Sequence, residues 1–321
     1  MSSGKALRRV TGWLGVTAAV GMLVVLIMGA RVTDTGSAAG CGRDWPLCNG
    51  RFIPEFAAAT AIEFSHRLVT GVEGFLILAL AVLALLLLRR RRVLLILVPI
   101  MLFGLVAQAL LGAAAVMWPE QPEVLALHFG ISLIALASTT LVALCTLRPD
   151  SLVVRQPVPA LVATLTWAYS VYIYFLVYSG AYIRHAGVAA ACLGWPFCGR
   201  GYVAPASAVG VNYLHRFLAA GALVLALGLW LLYRRYAPDR RDLSTGARLT
   251  VLATLAQGAA GAFLVLNHWE LFGELLHAAL TGLLFTAAAY LAFRVSLGYR
   301  TTPATSMSEE GGGLRSHPSR G

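Results

Sequence analysis

The sequence predicts an all-α polytopic membrane protein with eight transmembrane helices, built as a tandem repeat of two four-helix bundles with both termini in the cytoplasm. Of its 321 residues, 59% are hydrophobic and only 12% are charged, whereas soluble domains carry about 25% charged residues. The apolar residues form long windows, each close to the about 20 residues that a helix needs to cross the hydrocarbon core. Because backbone polar groups in lipid must be satisfied within the segment, these windows are predicted to be helices.

Eight windows of this kind follow one another along the chain. The first comes after a basic segment, as the core of a signal peptide does, but it is long and continues into Gly29-Ala30-Arg31 without a clear cleavage site. We therefore expect it to be retained as a helix. The windows are Trp13–Ala30, Ile62–Leu88, Val93–Met117, Val124–Leu147, Val158–Ala181, Val211–Tyr233, Ala247–Leu266 and Leu275–Leu297.

The basic residues indicate how the helices are oriented. The net charge is +11, from 25 Lys and Arg against 14 Asp and Glu, and in a soluble protein this excess would suggest a nucleic-acid partner. Here the basic residues all lie on one side of the membrane if the chain has eight helices, and basic residues near helix ends stay in the cytoplasm. We therefore expect this side to be cytoplasmic, and we expect no nucleic-acid partner. These basic residues are Lys5, Arg8, Arg9, Arg89, Arg90, Arg91, Arg92, Arg148, Arg155, Arg234, Arg235, Arg240, Arg241, Arg248 and Arg300.

The two halves of the sequence resemble each other. Residues that match between them are offset by 149 to 151 positions. So many uncommon residue types in one register indicate duplication of a four-helix unit, and an even number of helices gives both units the same orientation. The matched features are the Cys41–Cys48 and Cys192–Cys198 segments, Gly29 and Gly180, Gly36 and Gly187, His66 and His215, Arg67 and Arg216, Gln108 and Gln257, Gly112 and Gly261, and His128 and His277.

The repeat predicts three parts: an N-terminal half at 1–150, a C-terminal half at 151–300 and a Ser-, Gly- and Pro-rich disordered cytoplasmic tail at 301–321. A short linker near 149–159 joins the halves, and loops at 31–61 and 182–210 lie outside. Thiols there can be oxidised, and each cysteine pair is close in sequence, so we expect Cys41–Cys48 and Cys192–Cys198 disulfides. A structural clamp is the alternative to a redox role. Cys145 is expected to be a packing residue.

Four of the seven histidines belong to the repeat. His66 to His128 and His215 to His277 both span 62 residues, and all four lie near the outer ends of inward-running helices. Polar side chains in lipid are costly and suggest function. Two facing imidazoles in a four-helix bundle suit the axial positions of haem iron, whereas zinc usually needs three or four protein ligands. Histidines that only hydrogen-bond between helices are the structural alternative.

Other polar residues near these histidines allow two interpretations each. Arg67 and Arg216 each directly follow a histidine. Their side chains could pair with haem propionates, or they could extend to the membrane interface. The remaining histidines, His185, His268 and His317, are expected to be solvated.

Chemistry is expected where the two halves differ. Glu63 lies three residues before His66, on the same helix face, and its counterpart is Asn212. The alternative role of Glu63 is to cap the helix N-terminus. Two more acids lack a counterpart: Glu73, aligned with Ala222 and open to a proton-relay or a hydrogen-bonding role, and Glu274, aligned with Leu125.

These features together resemble the haem A synthases of aerobic bacteria and mitochondria, over about Trp13 to Leu297. Eight helices and a tandem four-helix repeat are also similar to that family, and the combination is specific although each motif alone is weak. The motifs are Glu63-Phe-Ser-His66-Arg67, the Cys41–Cys48 loop with Trp45-Pro46, His128, Asn212-Tyr-Leu-His215-Arg216, and His277.

The resemblance implies an oxidoreductase that converts a ring methyl of haem O to a formyl group, giving haem A for terminal oxidases. It implies that haem O binds near His66 and His128 with Glu63 as the catalytic residue, and that His215 and His277 ligate the iron of a permanent haem b. It also implies redox or maturation chemistry at the first cysteine pair. The oxygen of the formyl group could come from water or from dioxygen.

The expected location is the plasma membrane, with the cysteine loops on its outer face. The expected partners, besides the lipid bilayer and haem O, are the farnesyltransferase that makes haem O and an electron acceptor. One alternative is a di-haem b cytochrome passing electrons from quinol, although Glu63 in one half only argues against it. A transporter is the other alternative, but the polar residues cluster at the outer edge and leave no pathway.

Overall fold

The computed structural model describes residues 2–88, 91–118, 121–149, 156–199 and 203–297. Within these ranges it consists of eight long helices and two short 3-10 turns, Ser37–Ala39 and Ala189–Ala191, with no β-strand. All eight helices are long and apolar enough to cross a membrane, which confirms the predicted fold class of a multi-pass membrane protein. The helices are α1 (Ser2–Asp34), α2 (Ala58–Leu88), α3 (Leu94–Met117), α4 (Pro122–Leu147), α5 (Ala160–His185), α6 (Ala208–Tyr236), α7 (Arg241–Leu266) and α8 (Leu271–Leu297).

Most helices extend beyond the apolar windows of the sequence. An apolar window marks only the part of a helix that lies in the hydrocarbon core of the membrane. The backbone hydrogen bonds of the helix continue beyond that window, through polar and small residues. Asp34 and Arg184 therefore lie inside α1 and α5, although the sequence places them in loops. His66 and His215 likewise lie about two turns inside α2 and α6, not in their first turns.

Some sequence predictions fall outside the described residues. They concern the basic pair 89–90, the linker segment 150–155 with Arg155, and the last residues 298–321, which include Arg300 and the tail predicted to be disordered at 301–321.

The helices pack as two four-membered groups that share one interface. In the N-terminal group α1 packs on α2 and α4, and α3 packs on α2 and α4. The C-terminal group has the same pattern, with α5 on α6 and α8, and α7 on α6 and α8. The groups join through α1 and α4 on one side and α5 and α8 on the other. This arrangement agrees with a parallel duplication of a four-helix unit.

Helix α4 lies at the centre of the molecule. In its apolar window 72% of the residues are buried, against 22% to 44% for the other seven described spans. Small residues let neighbouring helices approach it: a Cβ atom on Gly130 would lie 2.8 Å from the Tyr174 hydroxyl, and one on Gly282 would lie 3.1 Å from Leu136. Close approach at small residues is the usual way helices associate in lipid. The two halves therefore share one continuous core.

The cysteine loops lie at the same end of the bundle, called the loop end below. Arg184 near the end of α5 forms an ion pair with Asp34 at the end of α1, so the ends of these two helices meet. The Cys41–Cys48 and Cys192–Cys198 loops follow directly after α1 and α5. The basic connection between α6 and α7 lies at the opposite end.

Candidate functional site

Each of the four repeated histidines packs against a glycine of the helix before it. The paired helices are α1 with α2, α3 with α4, α5 with α6 and α7 with α8. A Cβ atom on any of these glycines would contact the imidazole, so a side chain there would push the ring away. The distances from that Cβ position to the histidine Cε1 are 3.3 Å for Gly29 and His66, 3.4 Å for Gly112 and His128, 2.8 Å for Gly180 and His215, and 3.2 Å for Gly261 and His277.

The structure places the four histidines in two pairs, one pair in each half. His66 and His128 lie within electrostatic range of each other, and so do His215 and His277. In each half one histidine stands on the second helix and the other on the fourth. These helices lie diagonally across the four-helix group, so each pair of imidazoles belongs to the interior of one half.

A hydroxyl group fixes the tautomer of His215. The Ser179 hydroxyl donates to the Leu176 carbonyl oxygen at 2.7 Å and lies 2.9 Å from His215 Nδ1. Because a serine hydroxyl has a single hydrogen, it must accept from His215 Nδ1–H. His215 Nε2 then carries the lone pair, which is the form that binds a metal. A ligand histidine commonly has this second hydrogen bond.

The second histidine of the C-terminal half is held by an amide. The Thr281 hydroxyl donates to the His277 carbonyl oxygen at 2.8 Å and therefore accepts from Gln257 Nε2 at 2.7 Å. The same amide nitrogen lies 3.3 Å from Nδ1 and 3.1 Å from Nε2 of His277. Sequence reasoning missed Ser179 and Thr281, although each is within four residues of a repeated residue.

The imidazoles of the N-terminal half are less constrained. His66 Nδ1 and His128 Nδ1 are both buried and have no hydrogen-bond partner among the described residues. The position matching Ser179 is Met28, which has no hydroxyl to offer. Buried polar atoms normally have a partner, and the His128 ring also bonds the backbone of Gln108 on α3, so hydrogen bonding between helices accounts for His128 in part and leaves the Nδ1 atoms of both rings unexplained.

The donor set of both halves fits a haem iron. Each half supplies two imidazoles from facing helices, and each imidazole lies against a glycine that leaves space beside it. Two axial histidines in a four-helix bundle satisfy haem iron. The fixed tautomer of His215, which leaves the Nε2 lone pair available, agrees with this use.

Two disulfides close the loops at the loop end. Cys41 is bonded to Cys48 and Cys192 to Cys198, with Cα atoms 4.3 Å and 4.8 Å apart, as the sequence predicts. Cys145 is a buried thiol near the other end of α4, which agrees with the predicted packing role.

The side chains of Arg67 and Arg216 hold these loops by donating hydrogen bonds to backbone carbonyl oxygens of the loops. Arg67 donates to the carbonyl oxygens of Asp44 and Leu47, both at 2.8 Å. Arg216 donates to Gly194 at 2.6 Å, Pro196 at 2.9 Å and Cys192 at 3.1 Å. The matched arginines thus have the same structural task in both halves, and neither side chain simply extends to the membrane interface.

Glu63 is part of the same loop attachment. Its side chain is 3% exposed, one carboxylate oxygen accepts from Cys41 N at 2.7 Å, and the other forms an ion pair with Arg67. Glu63 is the sixth residue of α2 and so does not cap that helix. Its counterpart Asn212 donates instead to the Val188 carbonyl oxygen at 2.9 Å. The halves therefore differ by a buried charge at equivalent positions.

Charged residues also lie between the halves at the loop end. Besides its ion pair with Asp34, Arg184 donates to the Ala30 carbonyl oxygen at 2.9 Å and interacts electrostatically with Glu274. His185, predicted to be solvated in a loop, is instead the last residue of α5, half-buried and within electrostatic range of His128. His268 is exposed in a loop, as predicted.

Comparisons with known proteins agree on one family. The family model COX15-CtaA, described as a cytochrome oxidase assembly protein, matches residues 53–289. A haem A synthase of Symbiobacterium thermophilum is 39% identical over 311 residues, which covers 94% of this chain and 99% of that protein. One of Exiguobacterium sibiricum is 37% identical over 273 residues, with 85% and 91% covered. One of Bacillus cereus is 35% identical over 309 residues, with 92% and 95% covered.

Proposed function

The chain belongs to the COX15-CtaA family of cytochrome oxidase assembly proteins, and we propose that it is a haem A synthase. It is an oxidoreductase that acts on haem O and converts a ring methyl to a formyl group. The observation that carries this proposal is the pair of facing imidazoles in each half, each set against a glycine, in a chain whose relatives are named haem A synthase. The alternative of a di-haem cytochrome has no support among these relatives.

The two halves have different tasks in this proposal. Residues 1–150 bind haem O through His66 and His128, and residues 151–300 hold haem b through His215 and His277. The hydrogen bond that Ser179 accepts from His215 Nδ1–H supports a permanent ligand in the C-terminal half. A substrate must leave, and the imidazoles without such bonds suit the half that releases its product.

In the N-terminal half the protein binds, orients and handles protons. His66 and His128 fix the substrate, and Glu63 lies one turn from His66 toward the loop end. Each carboxylate oxygen has a second acceptor direction besides the one used by Cys41 N or Arg67, so Glu63 can take a proton at the reacting edge. The N–H groups of Arg67 and Arg216 that do not face the loops are suited to the propionates. Haem b, when bound, supplies one-electron transfer.

The surroundings of the reaction follow from the fold. The protein is a multi-pass membrane protein, and we place it in the plasma membrane with the loop end outside and the basic ends in the cytoplasm. Haem O reaches it from the farnesyltransferase that makes haem O, and an electron acceptor removes the electrons. The disulfide Cys41–Cys48 lies at the reacting edge because Glu63 binds its backbone.

The test is the pigment that the protein makes. The chain is expressed in a host that makes haem O but no haem A, purified in detergent, and its haems are extracted for chromatography and mass spectrometry. We expect haem A together with haem b, and loss of haem A in Glu63→Gln and His66→Ala. Haem b alone, in membranes that contain haem O, would overturn the proposal.

A loop variant separates the two roles of Glu63. The Thr60 hydroxyl also binds the loop, by donating to the Gly40 carbonyl oxygen at 2.7 Å. Thr60→Val weakens the same loop attachment without touching the carboxylate, and we expect it to keep most of the haem A. Equal loss in Thr60→Val and Glu63→Gln would instead mean that Glu63 acts only by holding the loop.

A further inference from the structure

Glu73 is a buried carboxyl group that the proposed reaction does not use. It stands on α2 seven residues after His66, on the same helix face and about 10 Å deeper along the helix. Its residue is 3% exposed, and Oε1 has no hydrogen-bond partner among the described residues. Leaving a buried polar group without a partner is costly, so this oxygen calls for a ligand that is not part of the chain.

The helix next to Glu73 is shaped to receive it. Its Oε2 lies against Gly21 of α1, at a point where a Cβ atom would collide with the carboxyl group. The C-terminal half has the opposite arrangement, with Tyr172 in place of Gly21 and Ala222 in place of Glu73. There the Tyr172 hydroxyl donates to the Leu218 carbonyl oxygen at 2.7 Å, so the polar group is satisfied within the protein. At this pair of matched positions, the unsatisfied polar group belongs to the N-terminal half.

The surroundings of Glu73 do not continue as a polar path. The next residues on its inward face, Ile77, Leu80 and Ala84, are fully buried and apolar. A proton relay toward the other side of the membrane would need further polar groups or water there. Glu73 is therefore the last polar side chain of α2, which favours recognition of a ligand over relay of a proton along this helix.

We propose that Glu73 hydrogen-bonds the hydroxyl group on the isoprenoid side chain of haem O and so distinguishes haem O from haem b. This inference rests on the proposed function. Haem O carries a hydroxyethylfarnesyl group where haem b has a vinyl group, on the porphyrin edge opposite the propionates. Anionic propionates favour the loop end, so the farnesyl edge points into the membrane, toward Glu73. A hydroxyl both donates and accepts, so it pairs with a carboxyl group in either protonation state.

Competitive binding tests this assignment without turnover. The full chain is purified from a host that makes haem b but no haem O, so that the proposed haem b site is filled, and its haem content is measured. It is then incubated without oxygen or oxidant with equal amounts of haem O and haem b, freed of unbound haem, and extracted, and only the haem gained over the starting content is counted. We expect wild-type protein to take up haem O in preference to haem b. Glu73→Leu should lower that preference about tenfold to a hundredfold, the effect of one buried hydrogen bond, and Glu73→Gln, which keeps a hydrogen-bonding group, should stay close to wild type.

Two further variants keep the test decisive. Gly21→Ala displaces the carboxyl group without removing it and should lower the preference as Glu73→Leu does. Val72→Leu changes the neighbouring residue, which is 54% exposed, and should leave the preference unchanged. If wild type and both disruptive variants prefer haem O equally, the role of Glu73 is refuted while the proposed function stands. If wild type takes up no haem O, the proposed function itself fails, whereas uptake of both haems without preference refutes only the role of Glu73.

Discussion

Arg184 on α5 and Asp34 on α1 form an ion pair across the boundary between the two halves of the protein. Both side chains are largely buried, with 24% and 4% of their surface exposed. Arg184 also donates to the Ala30 carbonyl oxygen. The pair therefore links the ends of the two helices from which the disulfide loops start, between the two histidine pairs.

Removing either partner of this pair should destabilise the protein. Arg184→Met leaves the buried Asp34 carboxylate without its partner, which costs about 3 kcal/mol or more, and Asp34→Asn should cost less because Arg184 keeps its interaction with Glu274. The double variant should lose less than the sum of the two, because it removes both charges. Thermal denaturation in detergent measures these changes. The exposed pair Arg51 and Glu55 is the control, and Glu55→Gln should change stability by less than about 1 kcal/mol. If Arg184→Met is as stable as Glu55→Gln, this prediction is wrong.

Alanine at the histidine-facing glycines should displace the ligands and release haem. The loss should be largest for Gly180→Ala, whose Cβ would lie 2.8 Å from His215, and smaller for Gly112→Ala, where the distance to His128 is 3.4 Å. The measurement is haem content per purified protein, determined separately for each haem type.

Gly74→Ala is the control for this series. Nothing lies within 4 Å of the added methyl group, and alanine favours a helix over glycine by about 1 kcal/mol. We expect unchanged haem content and equal or higher stability. If Gly74→Ala loses haem to the same degree, the glycine substitutions act by disturbing the helices in general and not by displacing the imidazole rings.

Ser179→Ala should change the electronic properties of the haem b that we propose for the C-terminal half. Without the Ser179 hydroxyl, His215 keeps only its contact with the Leu176 backbone and becomes a weaker ligand, so haem retention should fall about tenfold. The midpoint potential of that haem should rise, because a less basic imidazole stabilises ferric iron less. Redox titration followed by absorbance measures it.

The N-terminal half provides a matched control for Ser179. The Ser132 hydroxyl donates to the backbone carbonyl oxygen of His128 at 2.9 Å and not to its ring. Ser132→Ala should therefore leave both potentials close to wild type. A Ser179→Ala variant with the wild-type potential would refute the assigned tautomer role.

The second disulfide loop should depend more on Arg216 than on its disulfide. Replacing Cys192 and Cys198 by Ser removes a constraint on the unfolded chain worth about 2 kcal/mol, but the carbonyl contacts of Arg216 remain. Hydrogen exchange in the loop should therefore stay slow in the double Ser variant and become fast in Arg216→Ala. Fast exchange in the double Ser variant and slow exchange in Arg216→Ala would reverse this conclusion.

Much of the fold could be predicted from the sequence because lipid allows few solutions. A window of about 20 apolar residues must be a helix, and all eight windows are helices within the described ranges. The helix ends could not be predicted as well. Hydropathy reports only the part of a helix in the hydrocarbon core, so the sequence places Asp34 and Arg184 in loops and predicts a solvated His185.

The candidate ligands could be found because the chain repeats itself. The repeat aligns His66 with His215 and His128 with His277. It also indicates Glu63, because the matching position of the second half has no carboxylate. The partners of these residues gave a weaker signal. Ser179 and Thr281 are common helix residues whose roles depend on the direction of a side chain and on which helix lies beside it.

The sequence by itself determined that the chain is a repeated eight-helix membrane protein with two histidine pairs and two disulfide loops, because composition, period and register are properties of the linear order. Only the tertiary structure decided what surrounds those residues. It put Glu63 and Arg67 on the backbone of the first loop, left Glu73 without a partner against Gly21, and joined Arg184 to Asp34. These contacts join residues from different helices or from a helix and a loop, and helix packing, not sequence spacing, sets the distances between them.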